Sequence, residues 1–272
     1  MALIFLILFV LGLAAGSFIN ALVWRLHEQK KGKKNLSIIN GRSICPNCRH
    51  KLAWYDLLPL VSWLLLKGKC RYCKKPISSQ YPLVELLTGL VFAGSYIFWL
   101  GTVNLDGQWL LLTAWLISSV GLIALAVYDL RWMLLPNRII YPTLIAAVLG
   151  RAGYIIFFEP RPLHALLLWV FSLLIASGVF FVLFSVSDGK WIGYGDVRLG
   201  LITGTLLADP QKSLAMLFIA SFIGTLVILP SLLAGKRNMA SKLPFGPFLI
   251  LATGIMVVFG DSILNWYKDL IL

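Results

Sequence analysis

Charged residues are scarce in this sequence, at 13% of 272 residues, where a soluble domain would carry about 25%. That shortage excludes an ordinary water-soluble globule. Histidine is scarcer still: His27, His50 and His164 lie far apart and form no metal-binding motif. No Gly-x-Gly-x-x-Gly stands between a strand and a helix, so the residues alone give no nucleotide-type cradle. The first ten residues lack a basic n-region, and their apolar run continues to Trp24. It is too long for the h-region of a cleaved signal peptide and reads as a first membrane span. Internal repeats and low-complexity linkers are also absent.

Hydrophobic residues, by contrast, make up 59% of the chain. Continuous apolar runs near 20 residues recur along it, each enough to cross about 30 Å of hydrocarbon. Only helices or closed barrels satisfy the backbone in lipid, and runs without alternation select helices. The expected fold is an all-α polytopic membrane protein of about eight spans: Ala2–Trp24, Pro82–Gly101, Trp109–Val127, one from Arg138 to about Phe158, Ala165–Val186, a short sixth at Leu199–Ala208, Ser213–Leu233, and an eighth ending near Trp266. The sixth, at about ten residues, is too short to cross as an ordinary helix. The expected division is a first transmembrane helix (1–24), a basic cytoplasmic loop (25–81) and a transmembrane core (82–272).

The charges orient these spans. Of the 24 Lys and Arg, 13 lie between Arg25 and Gln80. With the N-terminus outside, that loop joins Arg131, Arg138, Lys190, Arg198, Lys236, Arg237 and Lys242 on the cytoplasmic side, a total of 20. Only Arg161, Lys212 and Lys268 fall outside, and Arg151 lies within a span. The bias matches the positive-inside rule, and anionic inner-leaflet lipid is a natural partner of the loop. A nucleic-acid surface would need a groove and a base-stacking context; neither is visible, so no nucleic-acid partner is expected.

All four cysteines lie in the basic loop. Cys45-Pro46-Asn47-Cys48 is followed 21 residues later by Cys70-Arg71-Tyr72-Cys73, the spacing of a Cys₄ zinc site built from two knuckles. Disulfides are the competing reading, but they are rare in the reducing cytosol where the topology puts the loop. Four protein ligands leave no open position for water, so the expected Zn²⁺ is structural.

Two aspartates stand at the cytoplasmic membrane edge. Asp129 follows the apolar run Leu122–Val127, and Asp196 closes Gly193-Tyr194-Gly195-Asp196. Ionisable residues at such depth are costly, which makes function the default reading. Two carboxyls held together cannot easily both ionise, so one keeps a proton while the other activates water. Gly193 and Gly195 leave room for the backbone to bend and for a substrate strand to approach. The plainer reading is that each aspartate caps a helix. Asp188, close by in a glycine-containing turn, is read as a turn residue.

Six segments in order resemble the type IV prepilin peptidases, a bacterial family of Gly-x-Gly-Asp membrane proteases. They are Gly16-Ser17-Phe18-Ile19-Asn20 with Arg25-Leu26, the cysteine quartet, Tyr81-Pro82-Leu83-Val84-Glu85, Tyr128-Asp129 with Leu135-Pro136, Gly193 through Val197, and Lys242-Leu243-Pro244-Phe245-Gly246-Pro247. Gln80 and Arg198 stand where the resemblance leads one to expect Arg and Lys. The resemblance implies a bacterial inner-membrane enzyme with Asp129 and Asp196 as its catalytic pair. It would cut the basic leader from type IV prepilins or pseudopilins after a glycine. It further implies methylation of the new N-terminus with S-adenosylmethionine. Glu85 is open to two readings, a role near the methylation region or an ion pair with a loop Lys or Arg. The rival classes are a presenilin-like protease of other substrates, a transporter, which would show repeats and mid-membrane broken helices, and a zinc-loop scaffold.

Overall fold

Helices that satisfy their own backbone are what lipid permits, and helices are what the chain forms. The computed structural model describes residues 2–32, 37, 41–99, 106–235 and 243–271. Among the described residues every regular element is helical, apart from isolated bridges joining Ile44 to Lys51 and Lys69 to Pro76. Seven helices are long and apolar enough to cross a membrane: Ala2–Lys30, Gln80–Trp99, Gln108–Trp132, Asn137–Phe157, Pro162–Val186, Pro210–Leu233 and Gly246–Leu270. The protein is a multi-pass membrane protein, and its chain divides into two compact units, Met1–Leu100 and Gly101–Leu272.

In the first unit, α1 (Ala2–Lys30) lies along α3 (Gln80–Trp99). Gly12, Gly16, Ile19, Asn20, Val23 and Leu26 of α1 are buried, a spacing of three and four that makes one helical stripe. A Cβ on Gly12 would stand 2.7 Å from the Gly89 Cα, and one on Gly16 would stand 2.5 Å from the Glu85 Cα. The two backbones therefore touch, which is how helices gain dispersion and packing energy in lipid, where no hydrophobic force pairs them. Asn20 donates from Nδ2 to the Tyr81 carbonyl at 3.0 Å and accepts from Gln80 Nε2 at 3.2 Å. The α1 helix runs past the expected end at Trp24 to Lys30, because Arg25, Leu26, Glu28, Gln29 and Lys30 are good helix formers that need no lipid. Gly101, the expected end of the second span, lies outside the described residues.

The second unit holds α4 (Gln108–Trp132), α5 (Asn137–Phe157), α6 (Pro162–Leu173), α7 (Val179–Val186), α8 (Tyr194–Leu207), α9 (Pro210–Leu233) and α10 (Gly246–Ile271). A single π turn, Leu174–Gly178, joins α6 and α7 into one span. The expected short sixth span is α8, which starts five residues earlier than expected, at Tyr194, and so takes Asp196 into its first turn. Its 14 residues reach about 21 Å at 1.5 Å per residue, short of a bilayer core. Eight of them are buried, from Val197 to Leu207, so α8 is a core helix rather than a lipid-facing one.

The π turn and α8 are built for each other. A Cβ on Gly200 would meet the Ala176 carbonyl and come within 2.7 Å of the Ser177 Cα; one on Gly204 would come within 3.1 Å of the Ser172 carbonyl. The Ser177 hydroxyl donates to the Val197 carbonyl at 2.8 Å, and that of Ser172 to the Gly204 carbonyl at 2.7 Å. Arg151 of α5 donates to the Leu206 carbonyl at 3.1 Å, so a helix that stops inside the unit still has its C-terminal carbonyls met.

Candidate active site and metal centre

Asp129 sits in the last turn of α4 and is 5% exposed. The helix closes behind it at Met133, whose left-handed conformation (φ 51°) lets its N–H reach the Asp129 carbonyl at 2.8 Å. Asp196 is the third residue of α8 and half-buried. A Cβ on Gly193, the residue that caps α8, would stand 3.6 Å from Asp196 Oδ2, and the Asp196 N–H donates to the Gly193 carbonyl at 3.0 Å. The Asp129 carboxylate lies against Gly246, the first residue of α10. A Cβ on Gly246 would lie only 2.7 Å from Asp129 Oδ2. Three helix ends thus converge: Leu135, just after α4, lies against both Gly195 of α8 and Gly246 of α10.

The turn after α4 completes the arrangement. A Cβ on Gly195 would stand 3.1 Å from the Leu135 Cβ, so the Leu135 side chain packs directly on Gly195. Arg198 donates to Asn137 at the start of α5 and stacks over Tyr194, its guanidinium 4.6 Å from the ring centroid. The roles of Gly246 and Leu135 were missed from the sequence, although both stand in segments that the resemblance marked. Lys242 lies outside the described residues. Asp188 occupies a left-handed turn position (φ 49°) ahead of α8.

The cysteines belong to the first unit. The two knuckles repeat one geometry: Cys45 N–H to the His50 carbonyl and Arg49 N–H to the Cys45 carbonyl in one, Cys70 N–H to the Lys75 carbonyl and Lys74 N–H to the Cys70 carbonyl in the other. Arg49 and Lys74 take the same left-handed conformation, φ 58° and 59°. All four cysteines are unpaired, and their sulfurs lie within 4.8 Å of one another. Zn–S bonds of 2.3 Å around a tetrahedron space sulfurs by about 3.8 Å, so the quartet fits a metal ion. Burial pushes the Cys45 thiol up to about 11. Burial acts the same way on Cys70, but the N–H groups of Cys73 and Tyr72 overcome it and hold that thiol down to about 7.

Asp56 braces the second knuckle. It accepts Arg71 Nε at 2.7 Å and the Tyr72 hydroxyl at 3.0 Å. Burial alone would raise its carboxyl, but these donors hold it below the usual aspartate range. Glu85, for which the sequence left open a role near the methylation region or an ion pair with a loop Lys or Arg, is 7% exposed. Its carboxylate accepts the Leu60 N–H at 2.8 Å.

Comparison with known proteins settles the lineage. The bacterial peptidase A24 N-terminal domain matches residues 10–99, and the type IV leader peptidase family matches residues 116–229. The chain is 34% identical to the prepilin leader peptidase/N-methyltransferase of Bacillus subtilis over 274 residues, covering 98% of both chains. This chain belongs to the type IV leader peptidase family. It is also 31% identical to the protein of that name from Aeromonas salmonicida, over 98% of this chain and 95% of the other. The Pseudomonas aeruginosa protein is 32% identical, over 95% and 91%. No solved structure matches the chain. The family match over residues 116–229 holds both aspartates, and the N-terminal match holds the cysteine quartet.

Proposed function

We propose that this leader peptidase cuts the basic leader from type IV prepilins or pseudopilins after a glycine, with Asp129 and Asp196 as the catalytic pair, and methylates the new N-terminus. The observation that carries the catalytic reading is the convergence of α4, α8 and α10. It brings two carboxyls from distant parts of the chain to adjoining helix ends. An isolated capping aspartate needs no such partner.

The chemistry follows from the surroundings of the two groups. With like charges adjacent, one carboxyl retains its proton. The ionised one takes a proton from water as that water attacks the scissile carbonyl, and the protonated one donates a hydrogen bond to the carbonyl oxygen. Gly246 and Gly193 lie beside the two carboxylates, where a larger residue would crowd them. No covalent intermediate is required. A prepilin with its leader in the cytosol and its apolar helix in the bilayer would present the scissile bond at the inner interface. We place the N-terminus outside and residues 25–81 inside the cytosol of a bacterial inner membrane, on the 20-to-3 division of Lys and Arg.

Zinc held by Cys45, Cys48, Cys70 and Cys73 would join the two knuckles and supply no catalytic water, since four thiolates close its coordination. S-adenosylmethionine is the methyl donor that this reading implies. The described residues contain no strand-turn-helix cradle for it. The test is co-expression with a type IV prepilin, comparing wild type with Asp129→Asn and Asp196→Asn by mass spectrometry. Leader loss with the wild type alone supports the pair, and an added methyl mass supports the second activity. Cleavage by both variants would reduce the aspartates to caps.

A further inference from the structure

Between the two knuckles lies an apolar segment that neither the metal centre nor the peptidase chemistry uses. Leu57, Leu58, Val61, Leu64 and Leu65 are all exposed, Leu65 by 77%. Their spacing is helical, three or four residues apart, and α2 (Val61–Leu65) carries the last three as one stripe. The opposite side of α2 is turned into the protein. Trp63 lies under Gly68 and donates its indole N–H to the Ile77 carbonyl at 3.3 Å. An exposed leucine stripe of this kind is a liability in water, and an apolar segment of roughly ten residues suits a re-entrant or interfacial position.

The height of this stripe is fixed by Glu85. That residue stands five positions into α3, about 8 Å along the helix axis from Gln80. The 20 residues of α3 reach about 30 Å, the full thickness of a bilayer core. The Leu60 N–H that Glu85 accepts is therefore held at hydrocarbon depth, and α2 starts at the next residue. Leu60 takes φ 59°, ψ −51°, a conformation foreign to a bulky residue that persists only where its surroundings impose it. A non-helical N–H at that depth must have a partner in the protein, and the buried carboxylate provides it. Leu83, Leu86 and Leu87 of α3, at the same level, are exposed as lipid-facing residues are. Lys67 and Lys69 follow the stripe directly and are exposed, placed for lipid phosphates at the edge of the bilayer.

We propose that Leu57–Leu66 is a membrane-inserted anchor of the cysteine loop, its leucine stripe dipping into the acyl chains of the leaflet that faces the loop. Glu85 serves as the internal cap that lets it enter. The loop is then held against the bilayer rather than suspended in water between α1 and α3.

The full-length chain, reconstituted in phosphatidylethanolamine and phosphatidylglycerol vesicles, tests this. Leu65 and, as a control on the first knuckle, Lys51 are replaced in turn by p-benzoylphenylalanine, illuminated, and their adducts identified by mass spectrometry. Acyl-chain adducts several-fold more abundant at position 65 than at position 51 are expected. Equal yields, or adducts to a second copy or another protein, would overturn the anchor. Hydroxyl-radical labelling of the unsubstituted chain in the same vesicles is an independent check on folding. Leu64 and Leu65 should be protected while Tyr72 is labelled, and equal labelling of all three would sink the proposal.

Discussion

Gly12 and Gly16 in the first unit share the four-residue spacing of Gly200 and Gly204 in the second, yet they bring different partners to contact. The first pair lets two long spanning helices touch backbone to backbone. The second seats a short helix against a π turn, where α-helical hydrogen bonding is already interrupted. The same device therefore stabilises a membrane anchor in one unit and positions a carboxylate in the other. Spacing of small residues predicts close approach; what the approach accomplishes depends on what else the helix carries. On α3 that is Glu85, and on α8 it is Asp196.

Breaking the comparison at its chemical end should have the largest effect. Asp129→Asn or Asp196→Asn should lower prepilin cleavage by roughly 10²–10⁴-fold while the protein stays folded in the membrane, as thermal unfolding in detergent would show. No substitution of Glu85 should approach that loss. Next in size is the metal centre. Cys70→Ser should abolish bound zinc, measured by elemental analysis, and make the loop sensitive to protease. Because a four-thiolate site holds no catalytic water, cleavage should survive better than the loop does. Loss of cleavage as complete as in the Asp129→Asn variant would assign the loop a direct part in proteolysis.

The glycine pairs come third, and they sharpen the comparison directly. Gly200→Ala drives a Cβ into the Ala176 carbonyl, and Gly16→Ala drives one into the Glu85 backbone. Each should cost about 1–3 kcal/mol by overpacking, seen as a fall in unfolding temperature. Only the Gly200 variant should also slow cleavage, because only its helix carries a proposed catalytic group. Gly94→Ala, with nothing within 4 Å of the added Cβ, is the control and should gain up to about 1 kcal/mol in helix propensity. Equal cleavage in the Gly16 and Gly200 variants would mean that α8 tolerates displacement, against the positioning argued above.

The spans were legible because apolar runs near 20 residues have one satisfactory backbone solution in lipid. Both aspartates could be picked out because a carboxylate at a membrane edge demands a reason. The start of α8 was not legible: Gly193-Tyr194-Gly195 has the composition of a turn, and Leu135, which packs on Gly195, comes from a distant part of the chain. Nothing local marks the π turn itself, whose Ala176 and Ser177 lie against Gly200 of a helix farther along the chain. Gly246 was hidden for a different cause. Its link to Asp129 joins residues far apart in the chain, and a glycine before a proline reads as a loop until the fold brings a carboxylate against it.

The smallest effects should come from two charged side chains that serve backbone groups, one in each unit: the half-buried Arg151 and the buried Glu85. Arg151 meets the Leu206 carbonyl near the end of α8, and its Nε is buried with no hydrogen-bond partner among the described residues. Arg151→Leu removes the donor and strands that carbonyl, at a cost of about 1–3 kcal/mol. Glu85→Gln keeps an acceptor for the Leu60 N–H and gives up only the charge assistance, so it should cost about 1 kcal/mol or less. Unfolding temperatures of the two variants in the same detergent decide between them. If Glu85→Gln is the more damaging, the carboxylate is needed as a charge, and its role in the first unit exceeds that of a cap for α2.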